Sequence, residues 1–245
     1  MLSSKKIPIL SSLIDFTLPT KCICSEKFTA KQGEVCEECF VDIKFSGEQN
    51  CCRLCSYPFE YDMGGDMLCR DCISETPYFE GFRYIFSYDE FTGKIIKNFK
   101  YKDATYLSKT LSNFLYNKAK LFDDIDVICS VPITGKRLRA RKYNQSAMLA
   151  VGLAKKMQVK CDNLLLQKTR ETRVQAGLNK KERNANLKNS FAVSKHAVNN
   201  YIGRNILVID DVYTTGTTMN ECAKTLKNSI DKCKVYGLAL ARVFV

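Results

Sequence analysis

Nine of the chain's 13 cysteines crowd between Cys22 and Cys72, as Cys22-x-Cys24, Cys36-x2-Cys39, Cys51-Cys52-x2-Cys55 and Cys69-x2-Cys72. Thiolates two residues apart reach one metal ion from a single tight turn, and two such turns complete a tetrahedral site. The only histidine, His196, lies far along the chain, which leaves four-sulfur sites. The spacing suits two short zinc ribbons in succession. Cys22, Cys24, Cys36 and Cys39 form the first expected ligand set. Cys52, Cys55, Cys69 and Cys72 form the second; Cys51 is an alternative to Cys52, which has the better spacing to Cys55. A disulfide framework suits a small secreted domain rather than a segment joined to a large half with scattered single thiols. Two structural zinc ions are expected.

The remaining thiols, Cys129, Cys161, Cys222 and Cys233, stand singly among apolar neighbours, as small core residues do. Residues 1–18 read as an N-terminal tail, 19–80 as the cysteine-rich unit and 81–245 as a second unit, with Pro77 near the boundary. The first unit has only Phe28, Phe40, Tyr57 and Phe59 to bury, so it needs metal to fold. Metal loss is expected to unfold it and to leave a ligand site in the larger unit intact. No run of about 20 apolar residues predicts a spanning helix. Lys5-Lys6 followed by Ile7 to Phe16 imitates a signal peptide, but Pro8, Ser11, Ser12 and Asp15 interrupt it. The expected location is cytoplasmic.

Charge is equally uneven. Residues 1–80 hold 8 Lys+Arg against 13 Asp+Glu, residues 81–245 hold 30 against 13, and Lys136 to Lys188 alone holds 15 against 3. Such a local excess points to a phosphate-rich ligand; a solvated lysine-rich surface is the plainer alternative.

Beyond Pro77 the pattern becomes α/β. Strands are expected at Phe82–Tyr88, Val127–Val131, Ile206–Ile209 and Val235–Val243, with helices at Phe91–Phe99, Tyr106–Ala119, Gln145–Met157 and Thr217–Asn228. This alternation implies a mostly parallel sheet with helices on both faces. After Ile209 the chain runs through Asp210, Asp211, Val212, Tyr213, Thr214, Thr215, Gly216, Thr217 and Thr218 into a helix. Thr and Gly at a helix N-terminus, at the carboxyl end of a strand, make a phosphate cradle. The aspartates would repel phosphate, so they suit sugar hydroxyls or a phosphate-bound magnesium ion. Together they specify a ribose phosphate. A Walker-type site is excluded, since no Gly-x4-Gly-Lys-Ser/Thr occurs.

These residues resemble the phosphoribosyl pyrophosphate (PRPP) motif of type I phosphoribosyltransferases. Val131-Pro132, Arg137 and Arg141-Lys142-Tyr143-Asn144-Gln145 narrow the resemblance to the ComF family of competence proteins, whose signature is Arg-Gly-Phe-Asn-Gln. Thr172, Gln175, Leu178, Arg183, Asn186-Leu187 and Phe191 fall at that family's spacing, and cysteine pairs precede its domain too. Lys142 stands where Gly is usual, and Cys22-Ile-Cys24 is one residue short. The resemblance implies a type I phosphoribosyltransferase-like fold behind a double zinc ribbon, binding PRPP with Mg²⁺. It implies catalytic roles for Asp210, Asp211 and Arg137, and a diphosphate loop from Val131 and Pro132 to Lys136 and Arg137, with Arg141 close behind. Lys168 to Arg183 would be a flexible hood.

Three functions follow from the resemblance. The chain transfers phosphoribose to an acceptor the sequence does not name. Alternatively, it handles single-stranded DNA in natural transformation without turnover; the basic stretch would then lend it Lys180, Lys181 and Lys188, which match no diphosphate motif. As a third reading, its zinc ribbon docks on a DNA-translocating helicase of the uptake machinery, at the inner face of the membrane.

Overall fold

The computed structural model describes residues 20–25, 27–30, 34–47, 49–62, 66–101, 105–122, 124–171, 182 and 186–244. The expected N-terminal tail, Lys180, Lys181, and Thr172 to Leu178 with Arg183 lie outside the described residues. Strands β1 (Gly81–Ser87), β2 (Val127–Ser130), β3 (Lys160–Cys161), β6 (Asn205–Tyr213) and β7 (Lys234–Arg242) form a parallel sheet in the order β1-β7-β6-β2-β3. Its central runs, Val127 to Cys129, Ile206 to Ile209 and Leu238 to Ala241, are wholly buried, as strands covered on both faces must be. Ile206 and Val208 pack towards α8 (Thr217–Ser229), whereas Leu207 and Ile209 join a second core with α3 (Glu90–Tyr101), α4 (Leu107–Ala119) and α6 (Gln145–Met157). Each buried Ile or Leu contributes about 1.5–3 kcal/mol. No helix among the described residues is long and apolar enough to cross a membrane.

Two elements differ from the sequence expectation. Strand β6 does not stop at Ile209. It stays paired with β7 as far as Tyr213 opposite Arg242, while its pairing with β2 ends at Ser130 opposite Ile209. The Asp210–Asp211 pair therefore stands on a strand whose one edge has just lost its neighbour. The stretch up to Arg137 is also not all loop: α5 (Gly135–Arg141) begins inside it, with Thr134 as N-cap accepting from the Arg137 N–H. Periodicity was too short to show α5, β3 or the antiparallel pair β4 (Leu166–Lys168) and β5 (Phe191–Val193). The helix α7 (Lys195–Asn200) was missed for the same reason.

The cysteine-rich segment is a duplicated unit. Cys22 N–H bonds Lys27 O and Thr29 N–H bonds Thr20 O; the same pair of bonds recurs 30 positions on, Cys52 to Tyr57 and Phe59 to Asn50. Each unit then reaches a short helix, α1 (Glu37–Asp42) or α2 (Arg70–Ser74), capped by Cys36 or Cys69. The aromatics expected to form its core are largely exposed: Phe28 at 68%, Phe40 at 49% and Tyr57 at 41%. Cysteine sulfurs, with Ile23 and Ile43, occupy the interior instead. The two units lie along the free edge of β1. Ser46 N–H bonds Ile85 O, Ser87 N–H bonds Lys44 O, and Phe82 N–H bonds Leu54 O. An edge strand that would otherwise offer unpaired groups is thus covered.

Candidate ligand site and cysteine clusters

The ligand site forms where β2 ends and β6 continues. Asp210 Oδ1 accepts from Asp211 N–H at 2.8 Å and from Ser146 Oγ, in the first turn of α6, at 3.3 Å. Burial, reinforced by the Asp211 charge, pushes the Asp210 carboxyl up to about 7; the Asp211 N–H, Lys100 and Ser146 pull the other way. Asp211 Oδ2 instead meets Lys100 Nζ at 2.9 Å, at the end of α3. Past Tyr213 the chain turns through Thr214 and Thr215 to Gly216, the N-cap of α8, with Thr215 and Thr217 hydroxyls 3.0 Å apart. Asp210, Val212, Tyr213, Thr214, Gly216 and Thr218 line one small depression here. Gly216 has φ +77°, and a Cβ there would lie 2.2 Å from Tyr213 Oη, so only glycine fits both the backbone and the packing.

The loop after β2 starts beside β6, one residue ahead of Asp210. Val131 N–H extends the sheet to Ile209 O at 2.9 Å, and Pro132 follows it half-buried. Arg137 is partly buried, Lys136 and Arg139 are exposed, and α5 buries none of its residues. Lys142 ends α5 at φ +65°, the left-handed geometry for which Gly is usual, so the turn survives the substitution. The Arg141–Gln145 segment spends its polar groups on backbone. Tyr143 Oη donates to Phe99 O at 2.7 Å, Gln145 Nε2 to Lys100 O at 3.1 Å, and Asn144 Nδ2 to Val131 O at 3.1 Å. Arg141 reaches Tyr101 Oη at 3.3 Å. Lys168, at the end of β4, lies over the Phe191 ring; burial, then the Arg137 charge, pushes its ammonium down. Lys188 is exposed, its carbonyl bonded by Arg170.

Sequence reasoning missed Lys100 and Ser146, and Lys168, expected to open the flexible hood, instead ends strand β4 opposite Phe191. No motif marks them, because each is brought in by an element far from Asp210 in the chain.

Of the cysteine sets, Cys52, Cys55, Cys69 and Cys72 converge, all four sulfurs within 4.8 Å of one another and all buried. Cys55 and Cys69 sulfurs are 3.6 Å apart, close to the roughly 3.8 Å that a tetrahedral zinc with ~2.3 Å bonds requires. Hydrogen bonds from Cys55 and Cys72 hold the Cys52 thiol far below the usual range. Four such sulfurs cannot all ionise without a cation between them, so the set fits zinc. Cys51 lies outside it, bridged to Pro58. In the first unit Cys22, Cys24 and Cys39 converge, while Cys36 Sγ sits 3.8 Å from Ser25 Oγ. The 30-residue offset sets Ser25, not Cys24, opposite Cys55, and Ser25 Oγ accordingly touches Cys39 Sγ at 3.4 Å.

A double zinc ribbon domain matches residues 13–73 and a phosphoribosyl transferase domain matches residues 144–235. "Competence protein F" of Haemophilus influenzae is 30% identical over 226 residues, 86% of this chain and 92% of that protein. The chain belongs to the ComF family of competence proteins. Other relatives of this ComF chain are "Competence protein ComFC" of Bacillus subtilis, 26% identical over 88% of this chain and 87% of its own, and "DNA utilization protein YhgH" of Escherichia coli K12, 25% identical over 86% and 92%. Among solved structures, glutamine PRPP amidotransferase from Bacillus subtilis aligns at TM-score 0.39 and 17% identity, over 58% of this chain and 30% of that one.

Proposed function

We propose that this ComF-family chain binds PRPP as its magnesium complex and acts in DNA uptake or utilisation, as the names of its relatives suggest. The observation that carries the reading is the juxtaposition, at one strand end, of the Asp210–Asp211 carboxylates with the Thr214–Thr218 turn into α8. The turn's N–H groups and hydroxyls suit the 5′-phosphate, and the carboxylates suit ribose hydroxyls. Carboxylate and phosphate oxygens also suit Mg²⁺, which would neutralise a departing diphosphate. Arg137, and Lys136 and Arg141 near it, are the cations assigned to the diphosphate from the Val131–Pro132 side. Residues 19–80 would hold two structural zinc ions and residues 81–245 the ligand site. On this reading the chain is a phosphoribosyltransferase with an acceptor still to be identified.

A second reading, single-stranded DNA binding without turnover, is favoured by the exposed cations Lys136, Arg139 and Lys188. Each neutralised phosphate on a single strand adds about 0.7 to the log–log salt slope. Thermal shift with PRPP and Mg²⁺ tests the first reading: the parent's melting temperature rises, and Asp210→Asn with Asp211→Asn abolishes the rise. A double mutant that responds like the parent would sink the site assignment. Pyrophosphate release against a panel of bases, nucleosides and oligonucleotides separates the readings, since binding without release in every case favours the second.

A further inference from the structure

Lys100 stands out among the cations around the carboxylate pair. Its ammonium lies 2.9 Å from Asp211 Oδ2, with only 19% and 15% of the two side chains exposed. An exposed pair of this kind is worth little, but a partly buried lysine must be carried to its place by something. Here the carrier is visible. The last carbonyls of a helix lack intrahelical partners, and those of α3 are claimed by Tyr143 at Phe99 and by Gln145 at Lys100 itself. Between these two residues, Asn144 fixes the Val131 carbonyl of the loop after β2. Three consecutive side chains thus tie the end of α3 to the loop after β2, and at that end of α3 Lys100 meets Asp211.

The geometry points to Lys100 as a ligand-binding residue of this site, set in position by Tyr143 and Gln145. Its ammonium pairs with Asp211 in this structure and exchanges to a phosphate oxygen when the magnesium complex of PRPP enters. This rests on the reading of the site as a PRPP site. The exchange conserves charge matching: the incoming dication takes over the carboxylates, and the displaced ammonium faces the highly anionic ligand that brought it. Tyr143 and Gln145 are positioning residues, since they act only through α3.

Two titrations test this, PRPP with saturating Mg²⁺ and Mn²⁺ alone, on the full chain. Lys100→Gln should weaken PRPP about tenfold or more and reduce the salt slope of its binding by about one, while Lys100→Arg restores most of the affinity. The same Lys100→Gln change should tighten Mn²⁺ alone, because the ammonium no longer competes for Asp211. A merely structural ion pair gives no such opposite signs. Tyr143→Phe, which loses the bond to Phe99 O and keeps the ring, should weaken PRPP by a smaller factor without tightening Mn²⁺ as far. If Lys100→Gln misfolds, Lys100→Arg and Tyr143→Phe still decide the matter. Parent-like PRPP affinity in Lys100→Gln, or Mn²⁺ binding that weakens with it, would overturn the inference. A parent that does not bind PRPP at all would overturn the PRPP reading itself, a distinguishable failure.

Discussion

Asp210 carries a carboxyl that the fold makes reluctant to ionise, and this sets a pH dependence. Its folded value, about 7, lies above the ordinary one, so the folded chain holds the proton more tightly than the unfolded chain does. The resulting stability is fully present below about pH 4 and is lost as pH rises through about 7. In the absence of ligand and divalent ions, Asp210→Asn should therefore melt above the parent at pH 8 and level with it at pH 4. The gap is bounded at roughly 4 kcal/mol, from about three units at 1.36 kcal/mol each. A difference independent of pH, read by calorimetry at both values, would refute the assignment. On the proposed reading this cost serves recognition, since ribose hydroxyls and a metal ion call for an ionised pair. At this scale the aspartates and Gly216 were legible in sequence, since a carboxylate pair and a Gly-Thr turn are local patterns. Lys100 was not, being one lysine among many until α3 ends beside Asp211.

At the scale of elements, the duplicated ribbons are alike in hydrogen bonding but unequal in ligands. The second brings four buried sulfurs together, whereas in the first the position equivalent to Cys55 is Ser25, and Cys24 sits one residue early. A serine hydroxyl is a far weaker ligand for zinc than a thiolate. Titration with a chelator should therefore release zinc in two steps, the first ribbon's ion at lower chelator concentration by an order of magnitude or more. Ser25→Cys, which gives the first ribbon the spacing of the second, should merge the steps. A single concerted release of both ions in the parent would show that the serine does not matter. The cysteine spacing predicted both ribbons, yet the exposure of Phe28 and Phe40 was not predictable, because sulfur rather than aromatic carbon fills so small an interior.

Across the whole molecule, the second ribbon and the ligand site share one buried wall. Tyr213 stacks on Phe82 with ring centroids 4.0 Å apart, and the Arg242 guanidinium lies 4.9 Å from the Tyr213 ring. Arg242 is only 7% exposed; it also lies against Tyr57, Tyr84 and Phe244, and it donates to the Cys55 carbonyl. A buried guanidinium needs compensating charge, which four thiolates around a zinc dication, a net −2, would supply beside it. Tyr213 in turn leaves no room for a Cβ at Gly216. The expectation of an independent ribbon therefore changes. Cys52→Ser, which removes a ligand at the buried centre, should weaken PRPP binding about tenfold by calorimetry as well as lower the zinc content by one ion. Unaltered PRPP affinity in that variant would show the two units to be energetically separate. The sequence by itself determined the cysteine pairs, the parallel α/β sheet and the carboxylate pair ahead of the Thr-Gly turn. Each of these is written in local spacing: two-residue cysteine pairs, fully apolar strand runs, a Thr-Gly turn before a helix. Tertiary structure alone decided that β6 outruns β2, that α3 delivers Lys100, and that a zinc ribbon backs the ligand loop through Arg242. Those contacts join residues 44 to 187 positions apart, and a chain's own periodicity carries no record of pairing at such range.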